Sequence, residues 1–313
     1  MRAYWTLVRP VNLLITLLTQ LVFLYASCRI TPLQIDWTNI RWFNHPIHFP
    51  VALWVLLSCL FSAAAGYVIN DLFDVDSDHI NRPNKRILKR YISHKAAILY
   101  YAILASLGII TGFLGGTGMG IFCMAIAILL FFYSSDLKAM GLPGNLLIAF
   151  MAGAVVYLSS RGVWQVSKGH FAEFAILAFT ITLARELIKD IEDMKGDKEA
   201  DCRTFPLVYG VTKTKLLVYL TLGISAIGIL FNTLIQALYT YPISFNYQEL
   251  SKIANGKSIV PMLAYTGFVL APRMGSICIS VFKASEIAQF RQVSIKLKWL
   301  MILGIVGALF TPI

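Results

Sequence analysis

The sequence predicts an all-α, polytopic membrane protein with about nine transmembrane helices, and three observations predict it. Of 313 residues, 58 % are hydrophobic and only 14 % are charged, where soluble domains carry about 25 %. Mean hydropathy is +0.70. Uncharged stretches long enough to cross a bilayer recur along the whole chain. A soluble protein this poor in charge has too little polar surface to cover itself. The same balance disfavours a disordered chain, a nucleic-acid-binding protein and a disulfide scaffold.

Read from charge to charge, the spans fall at 10–28, 50–70, 96–114, 118–135, 143–160, 171–189, 214–237, 258–282 and 297–313. The first has basic flanks and no small-residue cleavage site, so it reads as an anchor rather than a removed signal. The third and fourth come from one uncharged run, Ala96 to Ser135, of 40 residues. That is too long for one span, and Gly115, Gly116 and Gly118 mark the turn that divides it. Gly116 and Gly120 also form a GxxxG, which reads as close helix packing. The last span is short and ends in the interface. The segments 30–49 and 238–257 are the longest irregular pieces, with room for short amphipathic elements. With no linker or low-complexity tract, 1–313 reads as a single domain.

Charge sets the orientation. The net charge is +11. With the N-terminus inside, the cytoplasmic segments hold 20 of the 27 Lys and Arg, the other face holds six, and Arg273 lies within a span. That asymmetry is the positive-inside pattern, so basicity here speaks of topology and not of nucleic acid. The expected location is a prokaryotic inner membrane. The five cysteines are scattered without a CxxC pair, which indicates small core or loop residues. His45 and His48, an HxxH beside Pro46 on the outer loop, read as loop residues.

The acids carry the functional signal. Eleven of 16 lie in two short segments: Asp71, Asp74, Asp76 and Asp78; then Glu186, Asp190, Glu192, Asp193, Asp197, Glu199 and Asp201. Both segments follow a span on the same predicted face. If the helix before Asn70 continues, Asn70, Asp74 and Asp78 stand at i, i+4, i+8 on one face, with Asp71 beside them. Asp190, Asp193 and Asp197 repeat the pattern at i, i+3, i+7. Like charges at such spacing repel. A hard divalent cation offsets this, and oxygen donors without His or Cys suit Mg²⁺ held between carboxylates and substrate phosphates. The plainer reading is two solvated acidic faces paired with nearby Lys; the matching spacing and depth argue against it. Arg82, Lys85, Arg86, Lys89 and Arg90 follow the first segment, and Arg185, Lys189, Lys195, Lys198 and Arg203 surround the second. Half of these belong to orientation, and the rest are donors for phosphate oxygens, with Arg82 and Lys189 the preferred pair. Arg273, after Pro272, either faces a cavity or snorkels to the interface.

These residues resemble the UbiA superfamily of intramembrane prenyltransferases. Asn70-Asp71-xx-Asp74-xxx-Asp78 matches that family's NDxxDxxxD motif, and Asp193 and Asp197 match its DxxxD. The resemblance implies a helical bundle around a central cavity capped by the motif loops. It implies Mg²⁺ on Asn70, Asp74, Asp78, Asp193 and Asp197, with Asp71 and Asp190 supporting the catalytic carboxylates Asp74 and Asp193. Tyr133 and Lys138 resemble the family's Tyr/Lys positions near the diphosphate, joined there by Arg82, Lys189 and Arg203. Arg9 and Asn12 resemble the Arg-Pro-x-Asn start of many members. The run from Arg185 to Asp197, followed by Arg203-Thr204-Phe205-Pro206, is most similar to the geranylgeranylglycerol-phosphate geranylgeranyltransferases (digeranylgeranylglyceryl phosphate synthases), although Phe205 stands where Leu is common.

The activity so implied is Mg²⁺-dependent transfer of a polyprenyl group, geranylgeranyl in that subclass, from its diphosphate to a lipophilic acceptor. Geranylgeranylglyceryl phosphate is the expected acceptor, with 4-hydroxybenzoate or dihydroxynaphthoate as the aromatic alternative. Membrane lipid surrounds the chain, and no protein partner is required. A transporter of a phosphorylated solute is the rival class. It calls for charges at the bilayer midplane and repeated broken helices, whereas these acids cluster at helix ends. A CDP-alcohol phosphotransferase is disfavoured because DGxxAR is absent.

Overall fold

The computed structural model describes residues 2–30, 49–75, 88, 91–161, 170–240 and 260–310. The described residues are helical and include no β-strand. The helices are α1 (Arg2–Leu7), α2 (Pro10–Ile30), α3 (Phe49–Phe73), α4 (His94–Gly115), α5 (Thr117–Ser135), α6 (Leu142–Arg161), α7 (His170–Glu199), α8 (Phe205–Thr240), α9 (Val260–Lys283) and α10 (Ile287–Gly307). Among the described residues, seven helices are long and apolar enough to cross a membrane: α3, α4, α5, α6, α8, α9 and α10. α2 contributes the shorter apolar stretch Pro10–Ala26. The expected nine is reached only if α2 and the charge-ended α7 cross as well. The possible amphipathic elements at 30–49 and 238–257, with His45 and His48, lie essentially outside the described residues.

Local sequence explains the boundaries. Arg9 takes a positive φ of 50°, and Pro10, with its fixed φ, starts α2 after that break. Ser93 caps α4, its hydroxyl accepting from the Ala96 N–H at 3.2 Å. The long uncharged run divides at Gly116, whose φ of 149° suits a residue without a Cβ. At Gly120 a Cβ would stand 2.3 Å from the Phe113 ring, so the GxxxG does serve close approach of α4 and α5.

Three boundaries differ from the sequence reading. α8 begins at Phe205 rather than 214 and is kinked at Gly210, where φ is 84°. α10 begins at Ile287 rather than 297, because Glu286 and Gln289 form a reciprocal capping box. In both cases Lys and Arg marked the edge of the apolar span, but a helix tolerates them beyond that edge. α7 runs without a break to Glu199, so the second acidic motif rides on a helix and not on a loop.

Packing forms two main cores. Ile181, Leu187 and Ile188 of α7 pack with Val218 and Leu222 of α8, and with Leu297 and Leu300 of α10. Leu7, Val68 of α3, Ala97 of α4 and Leu130 of α5 form the other. Ile227, Leu230, Phe268 and Phe282 are exposed, as helices bathed in lipid require. Cys59, Cys123, Cys202 and Cys278 are free thiols. The ends of α3, α5 and α7 and the starts of α2, α6 and α8 gather at one end of the bundle.

Candidate active site

The last turn of α3 carries the first motif. Asn70 Nδ2 donates to Asp74 Oδ2 at 2.6 Å, and the Asp74 N–H still reaches the Asn70 carbonyl at 2.9 Å. The two side chains therefore share one face, as their i,i+4 spacing predicts. Asp71 accepts from Arg9 at 2.5 Å, and that guanidinium lies 5.3 Å from the Tyr67 ring centre. Arg9 sits at the break between α1 and α2, where its φ is 50°. Asp78 and Arg82, with Asp76, Lys85, Arg86, Lys89 and Arg90, lie outside the described residues.

A short 3-10 turn, Leu137–Met140, stands between the motifs. Its Lys138 pairs with Asp74. The turn is held by the Arg203 N–H, which donates to the Ala139 carbonyl at 2.7 Å. It ends at Gly141, whose φ is 75° and where a Cβ would stand 2.8 Å from the Arg203 carbonyl. Only glycine allows that close approach.

α7 supplies the second motif. Glu186 is buried and accepts from Arg185 at 2.8 Å and Lys189 at 2.6 Å. One turn on, Asp190 accepts from Asn145 Nδ2 of α6 at 2.7 Å. Asp197 is 9 % exposed and lies within electrostatic reach of Asp193, Lys138, Asp74 and Lys189. The two motifs thus converge through Lys138. Tyr133, buried at the end of α5, has Glu186, Asp74 and Asp190 as charged neighbours.

Asp190 and Asp197 follow the apolar stretch of α7, and both carboxyls are pushed up to about 7. Burial is the main cause in each. The Asn145 bond opposes it at Asp190, while the Asp193 charge adds to it at Asp197. Crowded acids that resist ionisation call for positive charge. Among the described residues, no three His, Cys, Asp or Glu side chains gather closely enough to hold an ion unaided. The donors that do approach one another, Asn70, Asp74, Asp193 and Asp197, are hard oxygens. They fit Mg²⁺, which takes one or two carboxylates and completes its shell with water and phosphate.

The structure therefore brings together Arg9, Asn70, Asp71, Asp74, Tyr133, Lys138, Lys189, Asp190, Asp193 and Asp197. Other sequence candidates sit apart. Arg203 and Arg273 are exposed, and neither side chain is paired with a motif acid among the described residues. Asn12 bonds Lys298 at 2.6 Å rather than a motif acid. Sequence reading missed Asn145, hidden in an apolar span, and Lys298, at the edge of the last predicted span.

The profile of the UbiA prenyltransferase family matches residues 40–246. The chain belongs to that family. Digeranylgeranylglyceryl phosphate synthase of Methanosphaera stadtmanae is 37 % identical over 175 residues, covering 56 % of this chain and 63 % of that one. The Methanospirillum hungatei protein of the same name is 32 % identical over 246 residues, covering 75 % and 77 %. The chain thus spans less than two thirds of the Methanosphaera relative's own length. A UbiA homologue of Archaeoglobus fulgidus, solved bound to GPP and Mg²⁺, superposes with a TM-score of 0.59 at 19 % identity, over 98 % of this chain and 99 % of that one. This UbiA-family chain has the UbiA fold and is an integral membrane protein.

Proposed function

We propose that the protein transfers a geranylgeranyl group from its diphosphate to geranylgeranylglyceryl phosphate, in the synthesis of membrane ether lipids, with Mg²⁺ as cofactor. The observation that carries this reading is the approach of two acidic motifs from α3 and α7, with Lys138 between them. The names of the relatives support the acceptor, and the GPP and Mg²⁺ of the Archaeoglobus homologue support the donor class and the metal. The chain acts as one domain, its N-terminus and both motifs face the cytoplasm, and it sits in a prokaryotic inner membrane. Its partners are the two lipid substrates and the surrounding bilayer, without nucleic acid or an obligatory protein.

In this mechanism Asn70, Asp74, Asp193 and Asp197, with Asp78, would hold the metal. When bound, it supplies positive charge against the charge that develops on the departing diphosphate. The chain's own groups do the rest. Arg9 fixes Asp71 and Asn145 fixes Asp190, so neither carboxylate must be oriented when substrate arrives. Lys138, Lys189 and Tyr133, with Arg82, donate hydrogen bonds to diphosphate oxygens. The allylic C–O bond breaks, the acceptor hydroxyl oxygen bonds to that carbon, and the hydroxyl proton is released. Apolar helix faces hold the tail and exclude water that would otherwise capture the cation-like carbon.

The test is a transfer assay in detergent with labelled geranylgeranyl diphosphate and Mg²⁺. Geranylgeranylglyceryl phosphate, 4-hydroxybenzoate and dihydroxynaphthoate are offered as acceptors. Product with the glycerol phosphate alone is the expected result. Product only with an aromatic acid would keep the chemistry and replace the acceptor. No product and no diphosphate release with any donor length would favour a transporter.

A further inference from the structure

Counter-charges at the motif end of the bundle are unevenly shared. Arg9 has Asp71, Lys138 has Asp74, and Arg291 has Glu192. Arg185 and Lys189 divide a single carboxylate, Glu186, between them. Lys298 has none. It is half-buried on α10, its ammonium bonds the neutral Asn12 Oδ1 at 2.6 Å, and its charged neighbour is another cation, Arg185. Arg185 in turn keeps its Nε–H buried without an acceptor. Tyr67 places its hydroxyl beside Asn12.

Two cations within electrostatic reach of each other, one with a buried unsatisfied N–H, repel unless an anion joins them. Glu186 answers Arg185 at 2.8 Å, but no carboxylate among the described residues pairs with Lys298, so the anion that joins the two comes from outside. The chemistry selects its kind. A phosphomonoester carries −1.5 to −2 at neutral pH and three acceptor oxygens, which matches an ammonium and a guanidinium edge together, whereas an aromatic carboxylate supplies a single charge. The place is also suitable: α7 carries Arg185 little more than one turn before Asp190, so the subsite adjoins the acidic clamp without sharing its ligands.

We propose that Lys298 and Arg185, with Asn12 and Tyr67, form a second anion subsite, distinct from the diphosphate clamp, that takes the phosphate of a phosphorylated lipid acceptor. This rests on the prenyl-transfer reading above and adds to it the group that selects the acceptor.

The test uses the full-length protein in detergent and compares wild type with Lys298→Met and Lys298→Arg. Four quantities are read: the Kd of geranylgeranyl diphosphate with Mg²⁺, the Kd and KM of geranylgeranylglyceryl phosphate, and the KM of its dephosphorylated alcohol. Lys298→Met should weaken the phosphorylated acceptor about ten-fold to a hundred-fold, the loss expected for a charge-assisted bond. It should erase the preference over the alcohol and leave the donor Kd unchanged, which also shows that the variant is folded. Lys298→Arg should restore most of the preference. An unchanged acceptor Kd in Lys298→Met, or equal losses for donor and both acceptors, would overturn the subsite. So would phosphatidic acid binding as tightly as the acceptor, which would mark a general headgroup site. Failure of wild type to bind the donor would sink the transferase reading instead, and the direct acceptor Kd would still decide the subsite.

Discussion

Asn145→Leu should convert the enzyme into one that needs a higher pH. The Asn145 amide donates to Asp190 at 2.7 Å, and burial has already pushed that carboxyl up to about 7. At neutral pH, then, about half of the population carries the charge. A hydrogen bond to a charged acceptor contributes about 1.5–3 kcal/mol, and Leu cannot donate one. At 1.36 kcal/mol per pH unit, the carboxyl rises by roughly one to two units further. Because burial disfavours the ionised form, the lost charge returns only as pH rises. At pH 7 the ionised fraction falls from about one half to between about one in ten and one in a hundred. The assay is kcat/KM for the prenyl diphosphate at limiting Mg²⁺, from pH 6 to 9.5, which reports groups of the free enzyme. The acidic limb should move up by one to two units, with recovery near pH 9. A loss of equal size at every pH, or a limb that stays in place, would refute the claim that Asn145 acts by holding Asp190 ionised.

Asp74→Ala and Asp193→Ala should each lower transfer by about a hundred-fold or more while the protein still inserts and elutes as wild type; wild-type rates at limiting Mg²⁺ would remove these residues from the metal site. Gly141→Ala puts a Cβ 2.8 Å from backbone atoms at a φ of 75°, so it should cost about 1–3 kcal/mol, seen as a lower melting midpoint in detergent, and raise the donor KM by displacing Lys138. Arg273→Ala should leave kinetics and expression unchanged, since the side chain is exposed; a lowered kcat with normal expression would restore it to the substrate path.

Much of the site was legible because it is local. The pairing of Asn70 with Asp74 follows from helical spacing alone, and the clustering of eleven acids needs no tertiary knowledge. The uncharged run from Ala96 to Ser135 announced its own turn through glycine. What escaped was either charge beyond a span edge or polarity within one. Lys298 drew no notice because charges were used as span boundaries and it stood at one, yet the Glu286 cap starts the helix earlier. Asn145 was passed over because one amide in an apolar stretch leaves no pattern; its meaning comes from Asp190, 45 residues away. Arg185 and Lys298 are over 100 residues apart, and no spacing rule joins them.

The unbroken course of α7 has a mechanical side. Its 30 residues make a rod about 45 Å long at 1.5 Å per residue, with Asp190, Asp193 and Asp197 fixed near one tip. A carboxylate on a loop can shift by itself, but these three move only together, by tilt or rotation of the whole rod. The second motif is thus the stationary jaw of the clamp, and its position is set by the packing of Ile181, Leu187 and Ile188 in the stretch of the rod that leads into it. Substitutions deep in the bilayer that tilt α7 by a few degrees would therefore change metal affinity without touching a single ligand.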